Sequence, residues 1–146
     1  MKIVFDTVVV VRGLLDPFSW SGKLLFELGG HYEWVASPDI VDEYLDVLNR
    51  PKIATKFIAQ ENRDLATILA RINRATIVHT PHVPAVCRDP SDDKFLAAAE
   101  AAGADFIVSE DNDLLSLREY MGTRIGSPDV VLRELDLADG DGDGSR

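Results

Sequence analysis

The stretch from Cys87 to Leu115, CRDPSDDKFLAAAEAAGADFIVSEDNDLL, constrains the fold more than any other part of the chain. An Ala-rich helical run, a glycine and a short apolar strand from Asp105 to Val108 make one helix–strand unit with acids on both flanks. Asp89, Asp92 and Asp93 precede the helix; Glu110, Asp111 and Asp113 follow the strand. In an α/β unit the helix start and the loop after the strand share the carboxyl edge of the sheet, where ligands of open α/β folds bind. Carboxylates gathered there repel one another and hold their protons unless a cation neutralises them. The pattern points to a divalent-metal site.

The remaining sequence repeats the alternation of strand and helix. Lys2 to Phe5 reads as a buried strand ending at Asp6, and Tyr32 to Ala36 as a second. β-Propensity alone extends the first strand through Val8 to Val11, but a charge inside a central strand argues for a turn at Asp6. Gly22 to Leu28 has helical periodicity closed by Gly29-Gly30. Ser37-Pro38-Asp39 supplies a capping serine, a proline at the first helical position and a first-turn acid. The helix it opens, to about Asn49, has Ile40, Val41, Tyr44, Val47 and Leu48 on its apolar face. Glu43 falls on the border of that face, whereas Asp42 points away. Gln60 to Arg74 predicts another amphipathic helix, Thr76 to His79 a strand, and Pro81 to Pro84 a rigid loop. Leu114 to Tyr120 predicts a short helix, Thr123 to Ile125 a last strand, and Pro128 to Leu137 a last helix. The expected fold is a three-layer α/β/α domain with a mainly parallel central sheet over residues 1–137, followed by a disordered acidic tail at 138–146.

The chain's 146 residues, 46% of them hydrophobic, suit one domain around one core. Cys87 is the only cysteine, which excludes an intrachain disulfide and a cysteine-based zinc cage. No apolar run is long enough to span a bilayer, and MKIVFD enters a strand without a signal-peptide pattern, so a cytoplasmic protein with no membrane partner is expected. The net charge of −10 argues against a simple nucleic-acid-binding surface, yet it is unevenly spread. Residues 50–74 carry six basic against two acidic side chains, while residues 87–120 carry nine acids against three basic residues. An acidic pocket beside a basic face is expected, with Arg63, Arg71 and Arg74, together with Arg12 and Lys94, as the candidates to guide a polyanionic backbone.

Each acid has a plainer explanation: Asp6 as a turn residue, Asp92 and Asp93 as first-turn acids, Asp111 and Asp113 as turn and cap, Glu43 as a long side chain reaching solvent. Their common direction, toward one carboxyl edge, favours the joint reading. Oxygen-only donors select hard cations such as Mg²⁺ or Mn²⁺. The histidines at 31, 79 and 82 have no ligand-like spacing.

Four fragments in order, IVFDT with VRGLLDP after it, SPDIVDEYLDVLNRPK, RDPSDDKFLAAAEAAGADFIVSEDNDLL and IGSPDVVLREL, resemble the PIN-domain family, in particular toxin components of bacterial toxin–antitoxin systems. The likeness covers residues 2–137. It implies a metal-dependent endoribonuclease whose acids are Asp6, Glu43, Asp93 and Asp111. Asp93 is taken over Asp92 because the family's acid stands three residues before an apolar helix position, here Leu96. Asp113 matches an accessory acid. The resemblance also implies Mg²⁺ or Mn²⁺ as cofactor, RNA as substrate, a cognate antitoxin and a homodimer as assemblies, and a helix rather than a strand after Thr7. The family usually has asparagine two residues after the first acid; here Val8 stands there and cannot hydrogen-bond. Val8 keeps open a catalytically weak or inactive module that binds RNA or protein. A phosphotransfer domain using Asp6 as nucleophile is poorer, because no second acid stands at position 8.

Overall fold

The computed structural model describes residues 1–59 and 63–143, with the side chains of 57–64 and of 137 onward left aside. Its centre is β1 (Lys2–Phe5), whose Ile3, Val4 and Phe5 are fully buried. A strand covered on both faces reads as a continuous apolar run, and Ile3-Val4-Phe5 is one. β1 lies between β2 (Glu33–Ala36) and β4 (Phe106–Val108), both parallel to it. β3 (Thr76–Ile77) extends the sheet beyond β2, and β6 (Thr123–Gly126) beyond β4, again in parallel; β5 (Glu119–Tyr120) closes the far edge antiparallel to β6. The order is therefore β3-β2-β1-β4-β6-β5. Helices flank this mostly parallel sheet in a three-layer α/β/α arrangement.

The order in which strands are added reverses between β1 and β4: β2 and β3 extend the sheet on one side of β1, and β4, β6 and β5 on the other. That pair of strands is the topological switch point, and the crevice beyond their carboxyl ends is where an open α/β sheet binds ligands.

The helices place the side chains around this crevice. α1 (Thr7–Leu15) begins directly after β1, so the valine run at 8–11 is helical. Val9, Val10, Gly13 and Leu14 form its buried face, while Val8 is 57% exposed. Packing of that face outweighs the local β-propensity of four valines. α2 (Trp20–Gly22) runs on into a π-helical turn at Lys23–Glu27. α3 (Pro38–Leu48) starts as expected, with Ser37 accepting a hydrogen bond from the Ile40 N–H. α4 (Pro51–Ala59), unforeseen in the sequence, precedes α5 (Arg63–Arg74). A 3₁₀ turn at Pro90–Asp92 leads into α6 (Asp93–Ala102), which ends at Gly103 with φ +62°, the left-handed conformation glycine adopts freely.

The expected helix from Leu114 to Tyr120 is corrected. α7 (Asn112–Leu115) is a single turn, and Arg118 adopts φ +63°, which helix cannot continue through. Glu119 and Tyr120 then pair with β6 across a turn in which Met121 and Gly122 both have positive φ, the geometry that suits a two-residue hairpin. α8 (Pro128–Asp143) continues past Leu137, where the sequence predicted its end, while residues 144–146 lie outside the described residues. Among the described residues, no helix is long and apolar enough to cross a membrane.

Candidate functional site

Asp6 is the first residue beyond β1, and its N–H donates to the Val108 carbonyl at 2.9 Å, so the ends of β1 and β4 are tied together at the switch point. Its side chain is only 5% exposed. Ser109, fully buried just beyond β4, donates its hydroxyl to Asp6 Oδ2 at 2.8 Å and accepts the Asp111 N–H at 3.0 Å. One serine thus fixes two acids. Asp111 Oδ1 accepts the Asp113 N–H at 2.8 Å, capping α7. Asp92, the last residue of the 3₁₀ turn, arrives from a third direction and shares a hydrogen bond with Asp111. Glu43 comes from α3, where Thr7 donates to its Oε2 and Lys94 Nζ stands 2.7 Å from its Oε1. Asp6, Glu43 and Asp92, with Val8, line a cleft of about 360 Å³.

The electrostatics follow from this crowding. Burial raises the proton affinity of Asp6; the Ser109 hydroxyl and the Val8 N–H oppose that shift, and the charges of Asp111 and Glu43 add to it. Asp92 is pushed up to about 7, first by burial and then by the charges of Asp6, Asp111 and Asp89. Among the described residues no three acid, histidine or cysteine side chains stand close enough to close on one ion as arranged. The donor set nevertheless fits a hard divalent cation. Asp6, Asp92 and Asp111 are oxygen-only donors, mutually repelling and partly desolvated, and a cation removes that repulsion.

A family model described as PIN domain matches residues 2–113. The chain belongs to the PIN-domain family. It is also 34% identical over 121 residues to an uncharacterized protein of the archaeon Methanocaldococcus jannaschii, covering 82% of this chain and 76% of that one. PIN domains are generally metal-dependent nucleases, and membership suggests a nuclease here.

Within this PIN domain the acids taken from the sequence are not all together. Asp6, Glu43 and Asp111 face the switch point, but the Asp93 carboxylate is turned toward the loop ahead of α6. It is 4% exposed, and its Oδ1 accepts the N–H groups of Val86 and Cys87 at 3.1 and 2.7 Å. Burial disfavours its charge, yet those donors hold its carboxyl below the usual range. Asp93 therefore pins the loop ahead of α6, and Asp92, set aside in the sequence, occupies the acidic site. Asp113 sits at the periphery, with Arg88 Nη1 at 3.9 Å.

The basic residues separate as well. α5 runs into the amino end of β3, so Arg71 and Arg74 line a cavity with Glu33 and Thr76 at the edge opposite the acids. Arg71 donates to the Leu25 carbonyl and lies against Gly29. These two stand away from the cleft lined by Asp6, Glu43 and Asp92. The Arg63 side chain lies outside the described residues. Lys94 is engaged by Glu43 and by the Ser91 carbonyl at 2.7 Å. Arg12, 2.6 Å from Glu110, stays near the acids, and Arg50 lines the cleft itself. Ser109 and Thr7 were missed in the sequence. The only signal was position, a serine between an apolar strand and an acid, and a threonine next to Asp6.

Proposed function

We propose that this PIN domain is a metal-dependent endoribonuclease whose ion is held by Asp6, Asp92 and Asp111. The observation that carries the reading is the convergence of these three carboxylates beyond β1 and β4, with Asp92 pushed up to about 7. Evolution has no structural need for such repulsion, and a bound cation gives it a use. Mg²⁺ or Mn²⁺, when bound, would supply Lewis acidity and positive charge to the phosphoryl group during in-line hydrolysis.

The chain's own groups prepare the site for that chemistry. Ser109 orients Asp6 through its hydroxyl and holds Asp111 through the backbone. Thr7 and Lys94 hold Glu43 at the border of the cleft, so Glu43 would act by shaping the field around the acids. Arg12 and Arg50 offset the acidic field at the rim for an approaching phosphodiester.

A toxin role in a toxin–antitoxin pair, with an antitoxin as partner, a homodimer as assembly and the cytoplasm as compartment, is part of the proposal and rests on the sequence resemblance. Val8 at the cleft wall supports the alternative of a weak or inactive RNA- or protein-binding module. Incubating the protein with RNA and Mn²⁺, beside Asp6→Asn and Asp92→Asn, separates the two. Cleavage by the wild type that both variants lose is expected. Cleavage that persists in chelator, or in Asp92→Asn, removes the assigned site.

A further inference from the structure

Two of the largest side chains in the protein are left outside its core at one place. Phe18 is 88% exposed and Trp20 52%. Single exposed apolar residues need no explanation, but this pair sits on a stiff loop beside the acids. Asp16 Oδ1 accepts the Phe18 N–H at 3.1 Å, the Ser19 hydroxyl donates to the Asp16 carbonyl at 2.6 Å, and the Gly22 N–H donates to the Ser19 hydroxyl at 3.1 Å. The loop also closes on Gly22 so tightly that a Cβ there would stand 2.3 Å from the Pro17 carbonyl oxygen. The rings are therefore presented from a fixed backbone.

We propose that Phe18 and Trp20 form a base-stacking subsite that feeds single-stranded nucleic acid into the acidic cleft; this deepens the nuclease reading and rests on it. Three observations connect the rings to the acids. A groove of about 450 Å³ between α1 and the loop is lined by Val8, Val11, Asp16 and Ser19, and Val8 and Val11 also line the acidic cleft. Ser21, next to Trp20, donates to Glu110 at 3.3 Å, and Glu110 is the neighbour of Asp111. Cations accompany the aromatic surface: Lys23 Nζ lies 4.9 Å from the Trp20 ring centre, and Arg12 borders the groove. Aromatic faces interleaved with cations are what unpaired bases and their phosphates require.

The alternative occupants are a second copy of the chain or another protein. Continuity with a cleft built for a phosphodiester, together with the flanking cations, favours nucleic acid. A duplex keeps its bases stacked on one another and cannot offer them to the rings, so the subsite selects single strands. It also gives the substrate a path on the acid side of the molecule, where Arg71 and Arg74 are absent.

Tryptophan fluorescence tests this directly, because Trp20 is exposed while Trp34 is 6% exposed and shielded from a ligand. The full-length protein is titrated at low salt in chelator with a single-stranded oligoribonucleotide and with a duplex of equal length. Single strands are expected to quench emission, and Trp20→Ala to remove the quenching. The Phe18→Ala/Trp20→Ala double variant should bind single strands at least about tenfold more weakly, while its melting temperature and its duplex affinity stay within error. Equal single-strand affinity in the double variant, or equal losses for both ligands, overturns the subsite. So does a wild-type dimer that becomes monomeric in the double variant with RNA affinity intact, which would mark an interface between copies. A wild type that cleaves RNA yet shows any of these results loses only the subsite; one that neither binds nor cleaves RNA loses the nuclease reading too.

Discussion

Exchanging the two adjacent acids at 92 and 93 should change stability in opposite directions. Asp92 is pushed from 3.8 to about 7 in the folded protein. At pH 8 the ion-free protein must ionise it against its burial and the charges of Asp6 and Asp111, a penalty of ~4 kcal/mol if undiminished. Asp92 is partly open to solvent, and screening reduces this to about 1–2 kcal/mol. Asp92→Asn removes the charge, and its amide can still donate to Asp111. The melting temperature should therefore rise by about 3–6 °C at pH 8. The folded pKa lies above the unfolded one, so the native state binds a proton that the unfolded state lacks between about pH 4 and pH 7. Wild-type stability from this group falls as pH rises through that window, and the advantage of Asn should shrink from pH 7 downward and vanish below about pH 4. Asp93→Ala removes the acceptor for the Val86 and Cys87 N–H groups and should cost about 2–4 kcal/mol at pH 8. Calorimetric scans with and without Mn²⁺ complete the assay. A stoichiometric ion at a hundredfold excess over its Kd stabilises by about 2.7 kcal/mol, and this rise should persist in Asp93→Ala and disappear in Asp92→Asn. Destabilisation by Asp92→Asn at pH 8, or a Mn²⁺ response lost only in Asp93→Ala, would refute the reasoning.

Other perturbations address neighbouring parts of the site. Ser109→Ala leaves Asp6 Oδ2 and the Asp111 N–H without their shared partner; a loss of about 1–3 kcal/mol in denaturant titrations and a fall in RNA cleavage of tenfold or more are expected. Arg12→Glu should reduce the slope of log affinity against log salt by about one for RNA, whereas Arg74→Glu, at the opposite edge, should leave that slope unchanged. Val8→Asn places an amide at the wall of the acidic cleft, and because Val8 is 57% exposed the change should shift stability by less than about 0.5 kcal/mol. Its cleavage rate should rise severalfold; an unchanged or lower rate would mean that position 8 does not limit the site.

The parts of the fold legible in the sequence are those where one strong pattern acts alone. Ile3-Val4-Phe5 and Phe106-Ile107-Val108 are short apolar runs, and Ser37-Pro38-Asp39 carries its helix start in the local chemistry of a cap. The valines at 8–11 carried a propensity opposed to their structure, and packing of Val9, Val10 and Leu14 decided it. The hairpin at 119–124 was hidden because the turn uses Met121 in a left-handed conformation, which its side chain does not advertise. The site shows the same division at finer grain. That acids gather beyond β1 and β4 follows from strand order, but the choice within the Asp92-Asp93 pair depends on where the 3₁₀ turn gives way to α6. At Asp93 the side chain has turned beneath the preceding loop, within reach of the Val86 and Cys87 N–H groups. One residue earlier it points to Asp111. A doublet of identical residues holds no information about that phase, because both satisfy the same spacing to the apolar positions of the helix to within one step. What separates them is the supply of partners: the loop at 86–87 offers Asp93 two backbone donors that neutralise the need for a cation, and at the switch point Asp92 meets the carboxylates of Asp6 and Asp111. A buried acid with its donors satisfied is structural, and an acid facing other acids is available to an ion. By that criterion Asp92 and Asp93, indistinguishable in the chain, have separate tasks in the fold.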